Sequence, residues 1–243
     1  MAFSVLTLNL WNVNEPLAAR FSALAAGLPR LRPDIVCLQE VADDPRSGGR
    51  QSAFVAQACD LAHALDKDAL SILSRFPIAR SHSEALPEID EPRQILLAEC
   101  IVEGRPLVVA NTHLVYIEGM SAQRKAQTAV ALSAIKTFCA IDGRRPAILC
   151  GDFNDVPDSP PVRLVIGSGF QDVHAQCHPG DPGLTFTRKN VYVPASYPQD
   201  RRLDYVFATG DLKAEDCAVV FDGRNGLDLA SDHYGVFCRL GVR

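Results

Sequence analysis

Short apolar runs that stop abruptly in polar residues recur along the chain, with helical periodicity between them. Phe3 to Leu10 is rich in strand formers and runs into Asn9-Leu10-Trp11-Asn12. Leu17, Phe21, Leu24, Ala25 and Leu28 then recur at helical spacing, predicting a helix opened by Pro16 and closed by Pro29 and Pro33. Asp34 to Glu40 reads as a second buried strand ending in an acid, and 43–50, with Pro45 and Gly48-Gly49, as a loop. Phe54, Val55, Ala58, Leu61, Ala62 and Leu65 predict a second amphipathic helix. From Ala69 the pattern switches to strands over 69–74, 78–85, 94–102 and 107–113, punctuated by Pro77, Pro87, Pro92 and Gly104, as in antiparallel meanders. A long helix follows, with Ala131, Leu132, Ile135, Phe138 and Cys139 on one face. The remainder reads as a strand at 147–150, a short helix near 161–166, a proline-rich loop over 178–199 and strands at 203–208, 215–221 and 235–240. No internal repeat is visible. This order predicts an α+β sandwich, two packed sheets with helices outside.

The strand ends carry the chemistry. Gly151-Asp152-Phe153-Asn154-Asp155 follows the apolar run Ala147-Ile148-Leu149-Cys150 and precedes Ser159-Pro160, a good helix start. A strand that stops in oxygen ligands before a turn is a common mount for a hard cation or a phosphate. The same design recurs at Asn9, at Glu40, at Asn111 with His113, at Asp204, and at Asp232 with His233. Carboxylates and amides suit Mg²⁺, and histidines outside that ligand set can transfer protons. Each residue alone could be a cap, a turn or a buried histidine; together they point to a site.

Composition narrows the setting. The net charge is -5, and 19 of the 24 basic residues are arginine, the side chain suited to bidentate phosphate contacts. Overall acidity argues against a long nucleic-acid track. No apolar run approaches the ~20 residues that span a bilayer. Eight cysteines without a secretory leader argue for reduced thiols and a cytoplasmic protein. His174-x-x-Cys177-His178 lacks a second pair to complete a metal site.

Seven segments, in order, carry a resemblance: Thr7-Leu8-Asn9-Leu10, Leu38-Gln39-Glu40, Ile72-Leu73-Ser74-Arg75-Phe76-Pro77-Ile78, Asn111-Thr112-His113-Leu114, Gly151-Asp152-Phe153-Asn154, Arg202-Leu203-Asp204-Tyr205-Val206-Phe207 and Ser231-Asp232-His233-Tyr234. The series resembles the endonuclease/exonuclease/phosphatase superfamily, the deoxyribonuclease I-like fold. The resemblance implies one domain over 1–243, a four-layered αββα sandwich of two mixed sheets, and Mg²⁺-dependent (or Mn²⁺-dependent) phosphate-ester hydrolysis. By position, Glu40 resembles the principal metal ligand, with Asn9 beside it, and Asp232 a carboxylate that helps bind metal. Asp152 and Asn154 resemble the pair that orients the attacking water and holds the phosphate. His233 resembles the essential histidine, Asp204 the acid that fixes its tautomer, and His113 the second histidine of some branches. Asp68 is a candidate to orient His113. Where repair nucleases of this superfamily carry an acid, two residues after the first-strand asparagine, this chain has Trp11.

Substrate information sits in the loops. Asn111, Tyr116, Arg188 and Asn190 are the candidate substrate-binding residues, within loops that also hold Ile117, Met120, Phe186, Lys189, Tyr192, Tyr197, Arg201 and Arg202. That mix suits a small phosphorylated organic molecule with an apolar or ring portion. Acidic Glu84, Glu88, Asp90 and Glu91 disfavour a nucleic-acid backbone. A nuclease on single strands or DNA ends is the alternative in the same chemistry, and an inactive binding module of the same fold the alternative outside it.

Overall fold

Two six-stranded sheets face each other, and helices cover their outer faces. A computed structural model describes residues 2–140 and 145–242 of the chain. In chain order the elements are β1 (Ala2–Asn9), α1 (Leu17–Leu31), β2 (Ile35–Gln39), β3 (Asp43–Asp44), β4 (Gly49–Arg50), α2 (Gln51–Cys59), β5 (His63–Lys67), β6 (Leu70–Ser74), β7 (Ile78–Ala85), β8 (Gln94–Val102) and β9 (Arg105–His113). Then come α3 (Ser121–Cys139), β10 (Ala147–Asp152), α4 (Pro160–Gly167), β11 (Phe170–Asp172), α5 (Val173–Cys177), β12 (Asp204–Thr209), β13 (Leu212–Val220) and β14 (Gly235–Val242). The expected four-layered αββα sandwich is the fold observed.

The first sheet runs β13-β14-β1-β2-β6-β5 and the second β11-β12-β10-β9-β8-β7. Each has a parallel central pair, β1 with β2 and β9 with β10, joined through a helix as parallel strands require. Antiparallel neighbours flank both pairs. The sheets therefore repeat one strand plan that the sequence shows no sign of. Phe3, Val5, Ile35, Cys37, Leu96, Val109, Ile148 and Val236 lie between the sheets. Leu17, Phe21, Leu24 and Leu28 bury the apolar stripe of α1 against Leu6, Leu8, Val36 and Leu38. Ala131, Ile135 and Phe138 of α3 do the same on Leu97, Val108 and Leu149.

Three local expectations change. The first helix passes through Pro29 to Leu31 before Arg32 turns left-handed; near a helix end proline removes one backbone donor, and Leu31 still packs on the core. The second ends at Cys59, capped by Asp60 in the left-handed region, and Leu65 belongs to β5, where it pairs with Ile72. Residues 43–50 form a small ribbon, Asp43 opposite Arg50, around a 3₁₀ turn. The meander holds for β7-β8-β9, while β6 joins the other sheet. The short β11 and α5 were not anticipated. No helix among the described residues is long and apolar enough to cross a membrane.

At the end of β10 the chain passes Thr112 so closely that only glycine fits: Gly151 has φ +142°, and a Cβ there would collide with the Thr112 carbonyl oxygen. Gly151→Ala is expected to lower stability by about 3 kcal/mol or more. An unchanged urea midpoint would refute this.

Candidate active site

The parallel pairs point the ends of β1, β2, β9 and β10 the same way, and β12 and β14 start beside them. Asp152 lies opposite His113 and Asp204 in the ladders, and Asn9 opposite Gln39. Glu40 and Asn154 turn off their strands in the left-handed region, at φ 52° and 51°. Asn154 makes that turn with its N–H on Asp152 Oδ1 at 2.9 Å.

Three groups converge on the other oxygen of Asp152. Asn9 Nδ2 donates to Asp152 Oδ2 at 3.1 Å and to Glu40 Oε1 at 3.0 Å. His113 Nε2 is 3.5 Å and His233 Nε2 3.7 Å from the same Oδ2. His233 Nδ1 donates to Asp204 Oδ2 at 2.8 Å, and the Phe186 ring packs against it tilted by 55°, centroids 4.8 Å apart. Asp152 is only 1% exposed. Glu40, Asp232, Asn154, Trp11, Tyr116, Phe186, Tyr197 and Arg93 border the same cleft, about 520 Å³ in volume.

Charge in this buried setting is unevenly held. Burial opposes protonation of His233, but Asp204 and Asp152 outweigh it and hold the imidazole well above its ordinary value. Burial, with help from the Arg93 and His233 cations, pushes His113 down to about 4 against the pull of Asp152. One histidine is thus a cation and the other neutral near pH 7. Burial pushes the Asp152 carboxyl up, as does Asp204 beside it. Asp232 rises to about 6, through burial and then the like charge of Glu40, against the His233 cation. Asp152, Asp204 and His233 offer ligand atoms within 4.8 Å of one another, so a cation could bridge them. Asp204 and His233, however, already satisfy each other, whereas the more open carboxylates Glu40 and Asp232 meet neutral donors, Asn9 Nδ2 at 3.0 Å and Ser231 Oγ at 3.2 Å.

A family model described as the Endonuclease/Exonuclease/phosphatase family matches residues 6–233. The chain belongs to this family. Its relatives include protein angel homolog 1 of Rattus norvegicus, 31% identical over an alignment of 164 residues that covers 58% of this chain and 25% of that protein. Protein angel of Drosophila melanogaster is 25% identical over an alignment of 200 residues that covers 70% of this chain and 55% of that one. The chain thus matches about a quarter to a half of these relatives' length. Among solved structures, TDP2 from C. elegans superposes with a TM-score of 0.79 at 20% identity, over 99% of this chain and 75% of that one. The endonuclease/exonuclease/phosphatase from Bacteroides vulgatus gives 0.80 at 17% identity over 100% of both chains. D. rerio TDP2, complexed with a single strand DNA product, gives 0.79 at 22% identity over 99% of both.

Within this endonuclease/exonuclease/phosphatase fold, the structure brings Asn9, Glu40, His113, Asp152, Asn154, Asp204, Asp232 and His233 together. Asn9 differs in its orientation. Its Oδ1 accepts from Trp11 N–H at 2.9 Å, so it shows nitrogen to the two carboxylates and spaces them. Tyr116 stands at the cleft, 64% exposed. Asn111, Asn190 and Arg188 are not brought to it. Asn111 is fully buried and donates across the sandwich to the Leu38 and Ser71 carbonyls. Asn190, also buried, donates to the Ser231 and Asp232 carbonyls and so sets the loop that carries Asp232. Arg188 pairs with Asp200 on the surface. Asp68 accepts from Gln94 at 2.8 Å, and the carboxylates within 4.0 Å of His113 are Glu40 and Asp152.

Two arginines escaped sequence reasoning. Arg93 borders the cleft, pairs with Glu91 and lies 5.9 Å from the Tyr116 ring; its acidic neighbours hid it. Arg20 is completely buried and donates to the carbonyls of Leu10, Asn14 and Ala230, tying the β1 exit to the approach to Asp232. Its signal was a charge on the apolar stripe of α1, four residues before Leu24.

His233 is held above its unfolded value, so its ion pair stabilises the fold below the unfolded pKa and is lost as pH rises through the folded one. In chelator, Asp204→Asn is expected to move the His233 titration downward and narrow that window. Histidine Cε1–H NMR reads the shift, and an unmoved titration would remove Asp204 as its cause.

Proposed function

We propose that this chain is a Mg²⁺- or Mn²⁺-dependent phosphoric ester hydrolase that cleaves a phosphodiester or phosphomonoester bond of a compact phosphorylated organic substrate. The observation that carries the reading is the convergence of Asn9, His113 and His233 on one buried oxygen of Asp152, with Glu40 and Asp232 beside it. Glu40 and Asp232 are the residues to hold the cation. Their hard oxygens suit it, and burial, with the like charge of Glu40, raises the Asp232 carboxyl, a setting that a bound cation would relieve. When bound, the ion polarises a phosphoryl oxygen and offsets charge on the leaving oxygen.

The chain's own residues do the rest. Asn9 and Asn154 fix the two oxygens of Asp152, which accepts the proton of the attacking water. His233 enters as an imidazolium oriented by Asp204 and presents Nε2–H to the phosphate charge. Because His233 Nε2 and Asp152 lie 3.7 Å apart, they serve the same face of phosphorus. His113, neutral, hydrogen-bonds a phosphate oxygen.

Compactness of the substrate rests on charge. Arg93 is the single Arg or Lys along the cleft among the described residues, against Glu40, Asp68, Glu91, Asp152 and Asp232. Such a wall repels a long phosphate backbone. The single strand DNA product held by D. rerio TDP2 favours a second reading, hydrolysis at the ends of single-stranded nucleic acid. The eight free thiols suit a reducing, cytoplasmic setting.

A hydrolysis screen over small mono- and diesters, nucleotides and DNA, with Mg²⁺ or Mn²⁺ and with chelator, tests the proposal. Cation-dependent turnover of a small ester supports it; efficient plasmid nicking at physiological salt with no small ester hydrolysed would put the nuclease reading first. Glu40→Gln should weaken the metal dependence far more than the thermal midpoint, because a hard cation loses a charged oxygen. An unchanged metal titration would exclude that role. His233→Ala should cost about 10²–10⁴-fold in kcat; a smaller loss would take the imidazole out of the chemistry.

A further inference from the structure

Resting on the phosphoesterase reading, we propose that Trp11 is a specificity-determining residue against which a planar ring of the substrate packs beside the scissile phosphate. Trp11 lies two residues beyond Asn9 and borders the cleft with Asn12, Glu40 and Asp232. Its loop runs directly beside the catalytic carboxylates: Leu10 N–H donates to the Gln39 carbonyl at 2.8 Å and Asn12 N–H to the Glu40 carbonyl at 3.1 Å. A ligand whose phosphate meets Glu40 and Asp152 therefore has its next few atoms within reach of the indole.

The ring is held far more firmly than a surface aromatic. Trp11 and Asn12 both take the left-handed conformation, φ 55° and 49°, a strained arrangement for non-glycine residues. Asn9 Oδ1 accepts the Trp11 N–H at 2.9 Å, and Gln51 Nε2 donates to the Asn12 carbonyl at 2.9 Å. Tyr192 stacks on the indole, centroids 5.6 Å apart at 30°, and the buried Arg20 guanidinium sits over the ring, 4.9 Å from its centroid, so a ligand meets the part of the indole that borders the cleft. Strain, a buried cation and a second ring thus fix one partly exposed indole at the cleft. An aromatic surface immobilised before binding costs a ligand little ordering entropy, so ring contact there goes into affinity. Tyr116, by contrast, is mostly exposed, and Phe186 is largely buried against the His233 ring.

Trp11 is the chain's sole tryptophan, so intrinsic fluorescence reports on this ring alone. The full chain is titrated with thymidine 5′-monophosphate, phenyl phosphate and ribose 5-phosphate. Saturable quenching by a ring-bearing phosphate, and none by ribose 5-phosphate, is expected; a stronger response to the first identifies a nucleobase, to the second a small aryl group. Equal quenching by all three, or none by any, overturns the proposal. In turnover, Trp11→Leu should raise KM for the methyl ester of thymidine 5′-phosphate about 5- to 150-fold, the worth of one base stack. It should leave KM for the methyl ester of ribose 5-phosphate unchanged, and Trp11→Phe should restore most of the loss. An equal loss on both esters would make Trp11 a shape-holding residue and overturn the assignment. If the wild-type chain hydrolyses neither ester with any divalent cation, the phosphoesterase reading fails, while the fluorescence titration still judges the ring contact.

Discussion

A carboxylate with almost no access to water sets the terms for the rest of this molecule. Asp152 sits at the end of a central strand, buried among Asn9, His113, His233 and Asp204, with Glu40 and Asp232 close by. Burying one unpaired charge is costly, and burying several of one sign is costlier still. The chain answers with one imidazolium, pinned by Asp204, and with amide dipoles aimed at each Asp152 oxygen. What those groups leave uncompensated is negative charge, which would attract a cation.

Such an arrangement survives only if the sheets cannot slide. Directly beneath the site, Gln39 Nε2 donates to Asn111 Oδ1 at 2.7 Å and to Thr7 Oγ1 at 3.1 Å, while Asn111 returns bonds to Leu38 and Ser71. Two buried amides thus join the sheets in one register, because any shift would leave polar groups unpaired in a dry interior. A second clamp lies on the far side of His233. Thr185 Oγ1 accepts from the Leu203 and Asp204 N–H groups, and the Thr185 carbonyl accepts from Tyr234 N–H at 2.7 Å. Arg20 closes the third side. Positioning here comes from side chains that bond backbone groups and one another, and each of them stands one layer behind the cleft.

The same layering separates reaction from substrate. Groups around Asp152 are shared by strand ends and fixed by ladders, whereas the cleft walls come from loops: Trp11 after β1, Arg93 before β8, Tyr116 after β9, and Phe186 with Tyr197 in the long segment before β12. Loops can change length and composition without disturbing a ladder, so one fold can hold one reaction over many substrates.

The sequence by itself determined the sandwich and the polar groups that meet at the cleft. Asp152, His233 and Glu40 end or adjoin apolar strands, and a polar residue at the end of a buried strand is a local signal that needs no partner to be read. The stripe of α1 and the face of α3 were legible for the same reason, since helical periodicity lies within one segment. What tertiary structure alone decided was direction and partnership. Asn111 and Asn190 look like cleft residues in the chain but spend their amides on distant carbonyls, 73 and 41 residues away. Leu65 keeps helical spacing with Leu61, yet hairpin pairing with Ile72 makes it a strand residue. The repeated strand plan of the two sheets left no trace in the residues, because pairing order is fixed by contacts between segments far apart in sequence, and backbone hydrogen bonds, which make those contacts, are the same for every side chain.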